Sequence, residues 1–219
     1  MSISETGNNN RGIGNMFKLG VILALYAAAA CVGLAFVYDG TAKVISQRRQ
    51  ADLEMSLKEL FPSADDFKPI TNIISLDPAV AIEESGAFEA LKNGAAIGAA
   101  LQTSRASYGG LIKILVGIGV DGKISGVKIL EHSDTPGLGA NAASASYYVD
   151  RAKGIRFYDQ FTGKNIKDSF EPKKDVIAIT AATITSKAVA ASVKAAGEAA
   201  TAWFMGTGSP GINSQGGSR

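Results

Sequence analysis

Residues 110–131 read GLIKILVGIGVDGKISGVKILE. Two apolar runs, Gly110–Val120 and Lys123–Glu131, flank the dipeptide Asp121-Gly122. That dipeptide between apolar runs is a hairpin signal, because the tight turn needs positive φ angles. Alternation along Lys123, Ser125, Val127, Ile129 and Glu131 is visible, though imperfect. Upstream, Ala96–Thr103 and Ala79–Glu83 are further strand candidates. Downstream, Ala140–Ala152 and Thr185–Phe204 read as helices. Strands grouped in one half and helices in the other predict an α+β domain.

Further toward the N-terminus the pattern changes. Leu19 to Tyr38 (LGVILALYAAAACVGLAFVY) is a run of 20 uncharged residues, of which 18 are apolar and two are Gly. A helix rises about 1.5 Å per residue, so this run spans about 30 Å, the thickness of bilayer hydrocarbon. A cleavable signal peptide has an apolar core of roughly 7–15 residues, which is shorter. Ala28-Ala29-Ala30-Cys31 resembles a lipoprotein cleavage site, but apolar residues and Gly continue beyond Cys31. The run therefore predicts one membrane span. Basic residues on its two sides, Arg11 and Lys18 against Lys43, Arg48 and Arg49, do not fix its orientation.

Beyond the span, Leu53, Leu57, Leu60 and Phe61 recur at helical spacing until Pro62. The expected division is a flexible tail over 1–17, a transmembrane helix over 18–38 and a connecting helix over 39–62. One domain follows over 63–206, then a flexible tail over 207–219.

Composition removes several function classes. The chain has 219 residues, 46% of them hydrophobic and 19% charged, which is too apolar for a disordered chain. Lys plus Arg number 22 against 20 acidic residues, a net charge of +2. That balance gives no field for nucleic acid. One Cys and one His exclude an intrachain disulfide, a Cys-based zinc site, a self-contained iron–sulfur cluster and any two-His site. No P-loop, Rossmann glycine fingerprint or nucleophile elbow is present.

Three patterns remain as candidate chemistry. His132-Ser133-Asp134-Thr135-Pro136-Gly137-Leu138-Gly139 follows a strand; its Pro and Gly residues suit a tight loop or a close backbone approach to a ligand. His132 and Asp134 are candidates to orient that loop. Asp175–Ile179 reads as a short strand running into Thr180-Ala181-Ala182-Thr183-Ile184-Thr185-Ser186 and then a long helix. Thr185 or Ser186 is placed to cap that helix, whose exposed N–H groups would attract phosphate. Tyr108-Gly109-Gly110 and Phe157-Tyr158-Asp159-Gln160-Phe161 supply aromatic rings, either for a flat ligand or for the core.

The span, YGG, HSDTPGLG, FYDQFTGK and TAATITSKAV, in that order, resemble the FMN-binding G subunit of the Rnf ion-translocating electron-transport complex. That family is related to the C subunit of the sodium-pumping NADH:quinone oxidoreductase, which is the neighbouring alternative. The resemblance implies FMN bound through a phosphoester to Thr183, with Thr180, Ala181, Ala182 and Thr185 around the phosphate. It implies Thr135, Pro136, Gly137, Leu138, Gly139 and Tyr108 near the flavin ring. Where the family shows Ser-Gly-Ala-Thr, this chain has Thr180-Ala181-Ala182-Thr183.

The implied partners are the other membrane and redox subunits and a flavin transferase that uses FAD. The implied location is the cytoplasmic (inner) membrane, single-pass, with the flavin domain on the extracytoplasmic side. The implied activity is electron carriage within a ferredoxin:NAD oxidoreductase, with no turnover by this chain alone. The alternatives are a flavin-free structural or assembly subunit and a substrate-reducing flavoenzyme.

Overall fold

The computed structural model describes residues 9–207 of the chain. Helix α1 runs without interruption over Asn9–Leu60, through both the expected span and the expected connecting helix. It starts inside the stretch expected as a flexible tail; residues 1–8 of that stretch lie outside the described residues. The chain divides into two compact units at Asp52/Leu53. In the first unit the apolar side chains of the span, Leu19, Leu23, Phe36 and Tyr38 among them, are exposed. Gly14–Leu60 is the one helix among the described residues long and apolar enough to cross a membrane. A continuous apolar surface of this size is stable against lipid rather than water.

The second unit is built on a five-stranded antiparallel meander, β1 (Asp66–Pro69), β2 (Val80–Lys92), β3 (Ala95–Ala106), β4 (Leu111–Gly119) and β5 (Ile124–Glu131), adjacent in that order. Side chains alternate between its two faces with period two, as strand geometry requires. On one face Leu101, Ile112, Ile114, Val116, Ile118 and Val127 form the main core with helix α2 (Thr183–Thr207), through Val189, Val193, Ala196, Ala200 and Phe204. The small residues of α2 let its backbone lie close to the sheet. On the opposite face Ala90, Ala100 and Leu115 pack under Leu57, Leu60 and Phe61 from the end of α1.

Glycines make room for that second layer. A Cβ at Gly98 would lie 2.5 Å from the Phe61 ring, and one at Gly117 3.0 Å from Leu60. The α1 helix ends here because Pro62 follows, and proline disfavours helical backbone in the residue before it.

The hairpin at Asp121-Gly122 is present, with a longer turn than expected. The Gly122 N–H bonds to the Gly119 carbonyl, and only Gly122 has positive φ, +74°. A two-residue turn occurs instead at Asn93-Gly94, with φ of +50° and +79°, joining β2 to β3. The strand expected over Ala79–Glu83 continues to Lys92 past an irregularity between Ile82 and Ala87. The polar Glu83-Glu84-Ser85-Gly86 segment that interrupts the alternation coincides with that irregularity.

The helix expected over Ala140–Ala152 does not form. A short 3₁₀ turn at Gly139–Ala142 is followed by irregular chain and by β6 (Tyr148–Asp150), which pairs with β7 (Ile155–Arg156). Ser144 accepts the Ser146 N–H on its hydroxyl, and Tyr147-Tyr148-Val149 favours extended backbone. The strand expected from Asp175 also does not form; Val176 makes only an isolated bridge to Pro172.

Candidate functional site

The loop after β5 is shaped by its own turn chemistry. The Leu138 N–H bonds back to the Thr135 carbonyl at 3.1 Å, with Gly137 at φ +77°. Proline at the second position and a positive-φ glycine at the third are the signature of a type II turn. Pro136 and Gly137 therefore shape the turn and stand exposed, outside the residues that line the cavity described below. Asn141 closes the loop by donating from its side-chain amide to the Gly137 carbonyl.

Asp134 ties this loop to the β3–β4 connection. Its buried carboxylate accepts from the Ser107 hydroxyl at 2.7 Å and from the Gly109 N–H at 2.6 Å. Burial opposes the charge, but the bonds from Ser107 and Gly109, the nearby Thr185 hydroxyl and His132 together hold this carboxyl below the usual range. Glycine is required at 109, since a Cβ there would lie 2.2 Å from the Ser133 carbonyl oxygen. His132 contributes no comparable bond; its Nδ1 is buried without a partner. Asp134 is therefore the residue whose hydrogen bonds join the loop to its neighbour.

The second wall comes from the start of α2. The Ala182 N–H bonds to the Ile179 carbonyl at 3.1 Å, closing a turn whose third residue, Ala181, has φ +59°. The helix then begins at Thr183, two residues earlier than expected. Neither expected cap serves as one. Ser186 donates instead to the Ala182 carbonyl, four residues back, at 2.9 Å. The N–H groups of Thr183, Ile184 and Thr185 have no acceptor within the helix, and its first turn carries no acidic residue.

Ahead of the turn, the Gln160 side-chain amide acts as a short strand. It accepts the Ile177 N–H at 2.7 Å and donates to the Ile177 carbonyl at 3.1 Å. This clip replaces the expected ladder and holds the chain that enters the turn.

The two walls enclose a cavity of about 520 Å³. Tyr108, Thr135, Leu138, Gly139, Ala181, Ala182, Thr183 and Thr185 line it, together with Asp134 and Ile184. Eight of the eleven sequence-expected site residues thus meet at one place. Thr180 stands exposed on the turn outside that lining, as Pro136 and Gly137 do on theirs. The packing between the walls is close: a Cβ at Gly139 would lie 2.5 Å from Thr185 Oγ1 and 2.8 Å from Asp134 Cβ. Phe157 and Phe161 are wholly buried, edge to face at 5.7 Å between ring centres, and belong to the core rather than to a ligand.

The chemistry of this cavity is specific. Thr183 is exposed at the head of a 25-residue helix, where free N–H groups and the helix dipole favour an anion. Thr185 Oγ1 is buried in the cavity wall close to the Asp134 carboxylate, without a well-formed hydrogen bond of its own. Tyr108, Leu138 and Ile184 supply apolar surface for a flat ring. The volume lies in the range of about 300–1,000 Å³ usual for cofactor sites.

Sequence reading did not place Ile184 in this wall and gave no part to Ser107, Gln160 or the Ser186 back-bond. The four-residue spacing of Ser186 from Ala182 is a local signal for that bond. No local signal pairs Gln160 with Ile177 or Ser107 with Asp134, since folding alone brings them together.

Two family models match the chain. A family model described as an FMN-binding domain matches residues 107–198, which contain both walls. A second, described as the RnfG N-terminal region, matches residues 8–60, which contain the apolar span. The G subunit of the Na(+)-translocating ferredoxin:NAD(+) oxidoreductase complex of Acetobacterium woodii is 32% identical over 193 residues, 81% of this chain and 88% of that one. The G subunit of the ion-translocating oxidoreductase complex of Vibrio cholerae is 32% identical over 83% of this chain and 88% of its own length. Its counterpart in Aliivibrio fischeri is 30% identical over 88% and 91%. The chain therefore belongs to the family of G subunits of Rnf-type ion-translocating oxidoreductase complexes.

Proposed function

We propose that this chain is a membrane-anchored electron carrier in an ion-translocating ferredoxin:NAD oxidoreductase complex, with FMN attached through its phosphate to Thr183. The carrying observation is the cavity itself. It joins an exposed threonine hydroxyl at a helix head to an apolar pocket walled by both motif loops. FMN, when bound, supplies the redox chemistry. The residues would supply the rest: the N–H groups of Thr183 to Thr185 would hold the phosphate, with Thr185 in the wall beside it, while Leu138, Ile184 and Tyr108 would cover the ring.

Two membrane-related features follow from the same reading. The apolar span anchors the flavin domain on the extracytoplasmic side of the cytoplasmic membrane, where it exchanges electrons with other subunits of the complex. The span holds no ionisable carboxylate or base between Lys18 and Asp39, so ion movement belongs to those other subunits. Attachment is the work of a separate flavin transferase using FAD.

A denaturing gel tests the central point. With a flavin transferase co-expressed, flavin fluorescence runs with the wild-type band and is absent from Thr183→Ala. A dark wild-type band rejects the carrier reading and favours a flavin-free structural role.

A further inference from the structure

We infer that Ser186 is a positioning residue for flavin attachment, its buried hydroxyl clamping the turn that presents Thr183. The inference rests on the reading of Thr183 as the attachment residue.

Ser186 is 0% exposed. Its Oγ accepts the Ile179 N–H at 2.9 Å and donates to the Ala182 carbonyl at 2.9 Å. Those two groups belong to the first and last residues of the Ile179–Ala182 turn. Between them Ala181 sits at φ +59°, a region that side chains with a Cβ enter at a steric cost. Glycine adopts that conformation freely; alanine holds it only where the surroundings impose it. One hydroxyl grips both ends of the turn, and Thr183, the next residue, begins the helix from there. The clamp thus fixes where the helix starts and keeps the Thr183 side chain on the cavity side.

In the attachment step the Thr183 oxygen forms a bond to the flavin-side phosphorus of FAD. The phosphorus–oxygen bond to the adenylate breaks, AMP leaves, and the hydroxyl proton is released to water. No electrons are transferred. The rate scales with the fraction of chains whose turn is already in the competent conformation.

A ready control lies on the same helix. Ser192 is also 0% exposed, and its hydroxyl has no hydrogen-bond partner. Full-length chains are incubated with a flavin transferase and FAD, and attached fluorescence is followed in time. Ser186→Ala is expected to slow attachment about tenfold, the effect of losing one buried hydrogen-bonded clamp. Ser192→Ala is expected to attach at close to the wild-type rate. Adding Ala181→Gly to Ser186→Ala is expected to recover most of the lost rate, because glycine enters the turn without the steric cost that alanine carries there.

Amide hydrogen exchange supplies a reading independent of the flavin. In the unsubstituted chain the Ile179 amide is expected to exchange as slowly as the interior of α2, and Ser186→Ala to release it. Wild-type attachment that Ser186→Ala leaves unchanged, that Ser192→Ala slows equally, or that the added glycine fails to restore overturns the clamp. So does fast exchange at Ile179 in the unsubstituted chain, should Ser186→Ala not fold. A wild-type chain that takes up no flavin, with Ile179 protected, overturns the attachment reading and not the geometry of the turn.

Discussion

Asp134 is a charged residue in a cavity wall, and its neighbours explain why it stays charged. Two hydrogen bonds, from Ser107 and Gly109, converge on its carboxylate, and the loop it anchors carries Thr135 and Leu138 into the cavity. Asp175 is built alike: burial opposes its charge, while the Glu171 N–H, the Ser169 hydroxyl and the Phe170 N–H favour it and lower its pKa. Both carboxyls titrate lower in the folded chain than in the unfolded one, where the pKa is about 3.9. Their contribution to stability is complete above that pH and is lost as pH falls through the folded values. Thermal unfolding of the flavin-free chain followed from pH 6 downward should therefore show the midpoint falling steeply only below about pH 4. Asp134→Asn should cost about 1–3 kcal/mol at neutral pH, by leaving buried donors poorly paired, and should flatten that acid limb. An Asp134→Asn chain as stable as wild type would remove the carboxylate from its organising role. The Asp of HSDTPGLG was legible as a candidate to orient the loop. Its partners were not, because Ser107 is 27 residues away in sequence.

At the scale of elements, the site depends on glycines where two backbones meet. Gly109 lies against Ser133 and Asp134, and Gly139 against Thr185 and Asp134. Gly109→Ala places its Cβ on backbone atoms, which no rotamer change relieves, so the β3–β4 connection must shift away from the loop. The expected loss is about 2–4 kcal/mol, in line with other overpacked or strained core positions. It should be read as a lower denaturation midpoint together with reduced flavin attachment. As a comparison, Gly154→Ala meets no atom within 4 Å but sits at φ +66° on an exposed turn. It should cost about 1 kcal/mol from backbone conformation and leave attachment intact. Equal losses of attachment in both variants would contradict the close-approach role of Gly109. The elements also show why one helical and one strand assignment misled. The apolar and alanine-rich letters of 140–152 and 175–179 have the right composition, but in the first segment the Ser144 hydroxyl accepts the Ser146 N–H and favours a turn. The second pairs with no named strand among the described residues, and the Gln160 side chain supplies the hydrogen bonds of Ile177.

At the scale of the molecule, the end of α1 belongs to the folded second unit although the sequence of the helix is continuous with the span. Leu57, Leu60 and Phe61 cover one face of the sheet. A fragment beginning at residue 53 should fold as a soluble monomer with an unfolding midpoint near that of the intact domain. A fragment beginning at 63 uncovers Ala90, Ala100 and Leu115 and should aggregate or unfold many degrees lower. Losing two leucines and a phenylalanine from a packed layer costs about 1.5–3 kcal/mol for each side chain. Size-exclusion chromatography and thermal melting of the two fragments decide this; equal behaviour would mean that the helix end adds nothing to the domain.

The sequence by itself determined the membrane span, the central hairpin, the long C-terminal helix and the two loops whose residues line the cavity. Each of these is written in a local signal: an uninterrupted apolar run, a turn dipeptide, an alanine-rich helical stretch, a proline and glycine pair. Only the tertiary structure decided that Tyr108, Leu138 and Thr183 share one cavity, and that Ser107 with Gly109 keeps Asp134 charged. It alone decided that Gln160 and Ser186 hold the turn ahead of Thr183. Those relations join residues distant along the chain or depend on a backbone angle such as that of Ala181. They arise when the sheet, the helix and the loops close on a common core.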